Sequence, residues 1–320
     1  MFRAKRLVKT FVRLLLPIVV LVVAATVAAS VWLVHKTSRP QSAAYLVTPD
    51  KYGLLSSRGA QITEEKWTNR DGTKARGWLL RGSPNAPAVI LLHKFGADRS
   101  YVLNLGVKLN EATNFTILMP DLRGHGPQPL VEISSFGGRE SVDVLAAVEF
   151  LRGLKTPEQL TLVGPRLGVY GVELGALAAV KAAAEEPAID AVALDSVPQD
   201  SNSLLAASVA HRYPFASFVT ARLAGLGTNL YFVDGTYDRS AVCEAGKAIG
   251  ERRVLLLAGV DAADFQSSTQ KLSKCLQSRQ VPESRFDLSP SGYSIMSASL
   301  EQSTAYDQRV IDFFRTSLGG

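Results

Sequence analysis

The chain has 320 residues, a length that suits one large domain or two small ones. With 47% hydrophobic and 20% charged residues, and no internal repeat, its composition excludes solenoids and disordered scaffolds. Seven of the 35 basic residues, and none of the 29 acidic ones, lie in residues 1–39. The rest of the chain therefore has 28 basic and 29 acidic residues. Such a neutral domain offers no electrostatic footprint for nucleic acid.

A run of 21 uncharged, mostly aliphatic residues, 14–34, follows the basic N-terminus. This is the length that a helix needs to cross a bilayer. Five cations precede the run and two follow it, which predicts a single-pass protein of the cytoplasmic (inner) membrane, with its N-terminus in the cytoplasm and its domain in the periplasm or outside the cell. A cleaved signal peptide is the alternative, because residues 25–30 contain small side chains that suit a cleavage site.

These patterns predict four segments along the chain. They are a basic cytoplasmic tail (1–13), a transmembrane anchor (14–34), a tether (35–60) and one folded domain (61–320). The two cysteines, Cys243 and Cys275, both belong to the domain. On the exported side they could form a disulfide, although both fall in helix-like stretches and could instead be buried thiols.

From residue 61 onward, strand-like runs alternate with helix-like runs. This alternation predicts an α/β fold, in which a mostly parallel central sheet has helices on both faces. In such sheets the active site lies at the carboxyl ends of the strands. The predicted strands are 61–68, 74–81, 88–93, 115–120, a run ending at 171, 189–195, 229–234, 253–259 and 286–289. The predicted helices are 100–111, 140–154, 173–186, 203–226 and 307–317.

Three short motifs follow predicted strands. The run 89–92 leads into His-Lys-Phe-Gly-Ala at 93–97, and the next strand leads into Pro-Asp-Leu-Arg-Gly-His-Gly at 120–126. Residues 167–176 combine a strand, a sharp turn flanked by glycines and a small-residue helix. In order and spacing these motifs resemble those of the α/β-hydrolase superfamily, especially its small esterase and lipase-like members. The resemblance covers residues 61–317 and implies the α/β-hydrolase fold.

The resemblance breaks at the residue that should attack the substrate. The family's nucleophile elbow reads Gly-x-Ser-x-Gly, whereas this chain has Glu173 between Gly171 and Gly175. Some relatives use a carboxylate, aspartate, at this position to displace halide or open epoxides. They still need a histidine to activate the water that releases the enzyme.

The family's catalytic histidine follows the last strand, but no histidine follows His211 in this chain. In one register its position is taken by Tyr293, and in another it falls near Ala262. The family's acid has two candidates, because Asp238 and Asp261 each follow a predicted strand and a glycine. Without a histidine to orient, Asp238 is expected to be a loop hydrogen-bond acceptor.

The oxyanion loop, His93, Lys94 and Phe95, departs from the family pattern by having lysine where glycine is usual. We expect Lys94 to pair with Glu173, to lower the pKa of its carboxyl group and to keep it ionised. We expect His93 to have a structural role, with a substitute base as the alternative. In the loop after the next strand, Asp121 and Arg123 are expected to brace each other, and His125 is expected to be structural.

The sequence therefore predicts an α/β-hydrolase fold without the Ser-His-Asp triad, and hence no serine-hydrolase activity. The preferred hypothesis is a pseudohydrolase that binds a small-molecule or protein ligand at its former active-site face. The alternative is an esterase-like or lipase-like hydrolase with altered chemistry, which uses Glu173 with His93 or Lys94. No metal, cofactor or nucleic-acid partner is predicted. The membrane, through the single N-terminal anchor, is an expected partner besides that ligand.

Overall fold

The structure, a computed structural model, describes residues 2–40, 45, 47–50, 61–276 and 280–319. The chain forms two compact units, the first of Met1–Thr37 with Leu205–Gly235 and the second of Ser38–Leu204 with Thr236–Gly320. Most of the predicted tether lies outside the described residues. The predicted domain boundaries stay predictions.

The first unit is built on one long helix, α1 (Phe2–Thr37), beside a second apolar helix. The part of α1 from Arg13 to Thr37 is long and apolar enough to cross a membrane, a criterion that a signal sequence would also meet. The predicted helical segment 203–226 is two helices, separated by a short 3-10 turn at Pro214–Ala216. These helices are α5 (Ser201–Arg212) and α6 (Ser217–Tyr231).

The second unit contains an eight-stranded sheet with the order β1-β2-β4-β3-β5-β6-β7-β8. Strands β1 and β2 are antiparallel to each other, β2 is antiparallel to β4, and all other neighbours are parallel, as predicted. The strands are β1 (Ile62–Thr68), β2 (Lys74–Leu80), β3 (Ala86–Leu92), β4 (Thr116–Pro120), β5 (Val163–Val172), β6 (Ile189–Asp195), β7 (Arg253–Gly259) and β8 (Arg285–Leu288).

One predicted strand, 229–234, is wrong, because these residues form the end of α6 and the turn after it. The error has a physical cause. A short apolar run before a turn signal looks alike in a strand and in the last turn of a helix, because it is too short to show the period of either. The motif Gly235-Thr236-Tyr237-Asp238 therefore does not follow a strand.

Helices cover both faces of the sheet. The apolar side chains of α2 and α9 pack with those of β3, β5 and β7 in one buried cluster, whereas α4 packs on β5 and against α3 and α7. The helices of this unit are α2 (Leu103–Thr113), α3 (Gly138–Gly153), α4 (Leu174–Glu185), α7 (Val242–Ala248), α8 (Ala263–Leu276) and α9 (Leu300–Leu318).

The strand register brings the carboxyl ends of the parallel strands to one edge. Leu92 pairs with Gly171, Val172 with Asp195, and Gly259 with Leu288. Consequently the loops after β3, β5, β6, β7 and β8 meet at this edge, where a parallel sheet places its active site.

The two cysteines form a disulfide that joins α7 to α8. The Cα atoms of Cys243 and Cys275 are 5.8 Å apart, and the bond closes a loop with a sequence separation of 32. The helices pack closely beside it, since a Cβ on Gly246 would lie 2.7 Å from the Leu272 side chain. Of the two alternatives that the sequence leaves open, the structure has the bonded one.

Removing this disulfide should lower the stability of the protein. A loop of this length contributes about 3–4 kcal/mol by restricting the unfolded chain. We expect the double variant Cys243→Ser, Cys275→Ser to have a lower melting temperature than the native chain in detergent. Reductant should lower the melting temperature of the native chain and leave that of the double variant unchanged. A native chain insensitive to reductant would contradict the assignment.

Candidate active site

The turn between β5 and α4 holds Glu173 in a strained conformation. Its φ is +50° and its ψ is −106°, a region that costs a non-glycine residue about 1–3 kcal/mol. The turn can be this sharp because Gly171 and Gly175, two positions to either side of Glu173, lack a side chain. A Cβ on Gly171 would collide with the Gly175 backbone, and a Cβ on Gly175 would lie 2.5 Å from the Leu92 carbonyl oxygen. This is the strand–turn–helix geometry of a nucleophile elbow.

The Glu173 carboxylate is held by backbone N–H groups. The Phe95 N–H donates to its Oε2 at 2.8 Å, and the Leu174 N–H also interacts with the carboxylate. An oxyanion hole beside such an elbow uses these same two donors, one after the nucleophile and one from the loop after β3. Glu173 therefore places its own negative oxygens where a substrate oxyanion would lie.

Burial dominates the ionisation of Glu173, whose surface is only 5% exposed. Loss of hydration raises the pKa of this carboxyl group to about 7, although hydrogen bonds from Phe95 and Leu174 and the charge of Lys94 act in the opposite direction. Lys94 acts in the predicted direction, but burial outweighs it, so the predicted net lowering of the pKa is wrong. Near neutral pH both protonation states are populated.

Lys94 is directed at a neighbouring loop. Its ammonium group donates to the Tyr293 carbonyl oxygen at 2.7 Å and lies 4.2 Å from the centre of the Tyr293 ring. No ion pair within 4 Å joins Lys94 to Glu173, both of which lie in the described part of the chain. Burial lowers the pKa of Lys94, and the negative charge of Glu173 only partly opposes that effect. The predicted Lys94–Glu173 pair is replaced by a Lys94–Tyr293 contact.

His93 is a structural residue of the oxyanion loop. Its Nε2 accepts a hydrogen bond from the Leu122 N–H at 3.1 Å, so its Nδ1 carries the proton and donates to the Lys94 carbonyl oxygen at 2.8 Å. The side chain is completely buried, and burial lowers its pKa. Both ring nitrogens are thus occupied by the backbone, which leaves none to activate Glu173 or a water.

The loop after β4 is braced, though not by the pair that the sequence suggests. Asp121 accepts from Arg76 at 2.9 Å, whereas Arg123 binds Asp143. His125 hydrogen-bonds to the Arg123 carbonyl oxygen through Nδ1 at 2.8 Å, and burial lowers its pKa to about 3. Each side chain therefore fixes the loop, and His125 is neutral.

The two acid candidates occupy different places. Asp238, in the loop beyond α6, binds Lys181 of α4 at 2.6 Å and accepts from the Ser240 N–H at 2.8 Å. Asp261 lies in the turn directly after β7 and accepts from the Ser291 N–H at 3.1 Å. Only Asp261 contacts the loop that follows the last strand.

Tyr293 lies in that loop, in the 3-10 segment Gly292–Ser297. Its carbonyl oxygen accepts from the Tyr101 hydroxyl at 2.9 Å as well as from Lys94. Burial, with smaller contributions from Glu173 and Asp261, raises the pKa of its phenol to about 12. The Tyr293 hydroxyl is therefore protonated near neutral pH.

A buried carboxylate that the sequence analysis does not single out fixes the same loop. Asp195, the last residue of β6, accepts from the Gly292 N–H at 2.9 Å and from the Tyr306 hydroxyl at 2.8 Å. A Cβ on Gly292 would lie 3.0 Å from this carboxylate, so the loop approaches it closely. The one sequence signal is an aspartate that ends an apolar strand.

The described residues contain no group of three or more His, Cys, Asp or Glu side chains that could hold a metal ion. Comparison with protein families finds no match. Among curated proteins, the thiohydrolase aneE of Aspergillus aculeatus is 27% identical over 124 residues, which are 38% of this chain and 37% of the thiohydrolase. The match thus spans little more than a third of that relative.

Solved structures match between 81% and 88% of this chain. The esterase Pf2001 of Pyrococcus furiosus has a TM-score of 0.62 at 20% identity, covering 88% of this chain and 98% of the esterase. The α/β hydrolase GrgF of Penicillium sp. sh18 has a TM-score of 0.60 at 14% identity, covering 81% and 100%. A dienelactone hydrolase of Anabaena variabilis has a TM-score of 0.54 at 16% identity, covering 81% and 99%.

The chain has the α/β-hydrolase fold. At these identities the likeness shows the fold alone, and the position of Glu173 at the elbow rests on the geometry of the turn between β5 and α4. The function of the hydrolase-fold unit must be argued from its own side chains.

Replacing Glu173 by glutamine should change how stability depends on pH. The folded-state pKa of about 7 lies above the ordinary 4.5, so the native state binds more protons than the unfolded state between these values. Glu173 therefore destabilises the fold increasingly as pH rises through this window, by up to about 3 kcal/mol. We expect the melting temperature of Glu173→Gln, relative to the native chain, to rise from pH 5 to pH 8.

The matched control is Glu301→Gln, which makes the same substitution at an exposed glutamate. A difference between Glu173→Gln and the native chain that stays constant from pH 5 to pH 8 would contradict the raised pKa.

Proposed function

We propose that this protein is a membrane-anchored pseudohydrolase, which binds a ligand or partner at its former active-site face without hydrolysing it. The observation that carries the proposal is the hydrogen bond from the Phe95 N–H to the Glu173 carboxylate at 2.8 Å. The oxygen of a substrate carbonyl would need this N–H group to stabilise its developing negative charge. To reach the group, it would first have to displace the buried Glu173 carboxylate.

The proton-transfer positions support the same proposal. A hydrolase of this kind needs a base that takes a proton from the nucleophile or from water. Tyr293 stands in the loop where the family places its histidine, and its phenol holds its proton at neutral pH. His93 has both ring nitrogens bonded to the backbone. Asp261, which we assign to the acid position, binds Ser291 and has no histidine to orient.

The remaining surface of the site suits binding. The Phe95 ring stacks on Phe136 at 5.3 Å, and Phe136 meets the edge of Tyr237 at 6.3 Å. Phe136 and Tyr237 are buried, so the part-exposed side chains of the site are Lys94, Phe95 and Tyr293. Two aromatic rings and one cation would favour a ligand that has both apolar and anionic parts.

The location of the protein is also part of the proposal. Helix α1 supports a single anchor in the cytoplasmic membrane, and the cations before it favour a cytoplasmic N-terminus. The Cys243–Cys275 disulfide agrees with a hydrolase-fold unit on the exported side, in the periplasm or outside the cell.

A second candidate function is hydrolysis by altered chemistry, and the raised pKa of Glu173 favours it. A carboxyl group with a pKa of about 7 can donate or accept a proton near neutral pH. The esterase and thiohydrolase relatives suggest an ester or thioester as substrate. This candidate requires Glu173 to leave the Phe95 N–H when substrate binds.

The two candidates differ in one assay on the full-length protein in detergent. If it is a pseudohydrolase, the native chain and Glu173→Gln should both leave 4-nitrophenyl butyrate at its background rate of hydrolysis. If Glu173 acts as an acid or base, the native chain should hydrolyse the ester, and Glu173→Gln should lose at least about 100-fold of the rate. The exposed Glu301→Gln controls for the substitution.

A fluorophosphonate probe tests the premise that both candidates share. Such probes label an activated serine, and the elbow of this chain carries none. We therefore expect no labelling of the native chain by in-gel fluorescence. Labelling would contradict both candidates.

A further inference from the structure

One face of α6 and of the turn before it is apolar and exposed. Phe215 is fully exposed, Phe218 is 70% exposed, and Val233 just beyond the helix is 80% exposed. Helical spacings of three, four and seven residues put these and further apolar side chains on one stripe, which we call the outer face of α6 and which also includes Arg222 and Asn229. The apolar residues of the outer face are Phe215, Phe218, Val219, Leu226, Leu230 and Val233.

The opposite face of α6 carries small side chains and packs on α1. Ala224, Gly227 and Thr228 are buried, and a Cβ on Gly227 would collide with the Ser30 backbone. Close backbone approach at small residues is the way in which helices associate within a bilayer, where large apolar side chains gain nothing by turning away from the lipid. Helix α6 is thus arranged for an apolar solvent.

Two contacts give the direction of α6 along α1. Gly227 lies against Ser30, and the Tyr231 ring meets the His35 ring edge-on at 5.8 Å. From the first contact to the second, the residue number rises in both helices, so α1 and α6 are parallel at this contact. The residues before Gly227 therefore lie toward the middle of the apolar stretch of α1.

The sequence of this segment is nearly free of charge. Between residues 213 and 233 it has one charged side chain, Arg222, whose guanidinium group lies 4.7 Å from the centre of the Phe218 ring. Tyr213, which precedes α6, lies 6.3 Å from Trp32 of α1, and aromatic pairs of this type suit the membrane interface. The chain therefore enters and leaves this segment beside the same end of the apolar stretch of α1.

We propose that the outer face of α6 is embedded in lipid beside the membrane-spanning part of α1. This inference rests on the proposed membrane anchor. Since α6 lies along the apolar stretch of α1, lipid around α1 would also surround the exposed side of α6, and that side is apolar. Phospholipid acyl chains are the occupant.

The proposal changes how the hydrolase-fold unit is tethered. With α1 alone the unit would be joined to the membrane at residue 37 only. With α6 embedded, the chain also enters and leaves the membrane-bound unit near residues 204 and 236. The chain would then pass between the membrane-bound unit and the hydrolase-fold unit three times.

Labels at single positions can test where this face lies. The full-length protein would be reconstituted in phosphatidylcholine–phosphatidylglycerol vesicles after labelling of Phe215→Cys, Val219→Cys, Val22→Cys or Leu160→Cys with an environment-sensitive fluorophore. All four native side chains are exposed, and Cys243 and Cys275 are bonded to each other. Val22 reports on α1, and Leu160 reports on the surface of the hydrolase-fold unit.

We expect labels at positions 215 and 219 to behave like the label at 22, losing most of their fluorescence to nitroxide-bearing lipids and little to iodide in the buffer. The label at 160 should show the reverse. If iodide quenches 215 and 219 while lipid quenches 22, the anchor holds and the embedded face is wrong. If iodide quenches 22 as well, the anchor itself is wrong. Protection from both quenchers at 215 and 219 would indicate a protein partner or a second copy and would also overturn the proposal.

Discussion

The hydrogen bond between the Phe95 N–H and the Glu173 carboxylate is the interaction on which the candidate site depends. It joins the loop after β3 to the turn after β5, at the edge where the parallel strands end. The sharp turn of the elbow directs the side chain of residue 173 away from the carboxyl ends of the strands. This turn requires glycine at positions 171 and 175, because a Cβ at either position would collide with the neighbouring backbone. A serine at position 173 would leave the Phe95 N–H open for substrate, whereas the longer glutamate reaches and occupies it.

A second network forms where a histidine and its acid would lie. Lys94 binds the Tyr293 carbonyl oxygen and stacks on the Tyr293 ring, while Asp261 and Asp195 hold the neighbouring loop backbone. Every member of this network fixes a loop, and none of them is a histidine. On the proposed function, the site is well ordered for binding and not for acyl transfer. Order at this edge, taken alone, is no argument for catalysis.

Sequence patterns predicted the sheet and the elbow because each depends on local rules: apolar strand runs, and glycines where a side chain would collide. They failed where tertiary packing decides. Lys94 and Glu173 are close in the fold, yet burial of Glu173 outweighs their attraction and raises the pKa instead of lowering it. Asp238 and Asp261 have similar motifs, and only the strand before Asp261 is real. The Cys243–Cys275 pairing depended on how α7 packs against α8, which neither helix encodes alone.

Helix α6 shows why the hydrophobic pattern of a helix does not tell whether its exposed face lies in water or in lipid. A covering helix of a soluble domain buries its large apolar side chains and exposes small or polar ones. Helix α6 does the opposite, since it buries Gly227 and exposes Phe218 and Leu226. Both arrangements have the same period, so the sequence predicts a helix in either case. The distinguishing signal is which residues share the buried face, and small residues at positions 224, 227 and 228 point to a partner helix in lipid. On the proposed embedding, α1 and α6 belong to one membrane-bound unit because each buries small residues against the other and exposes large apolar ones.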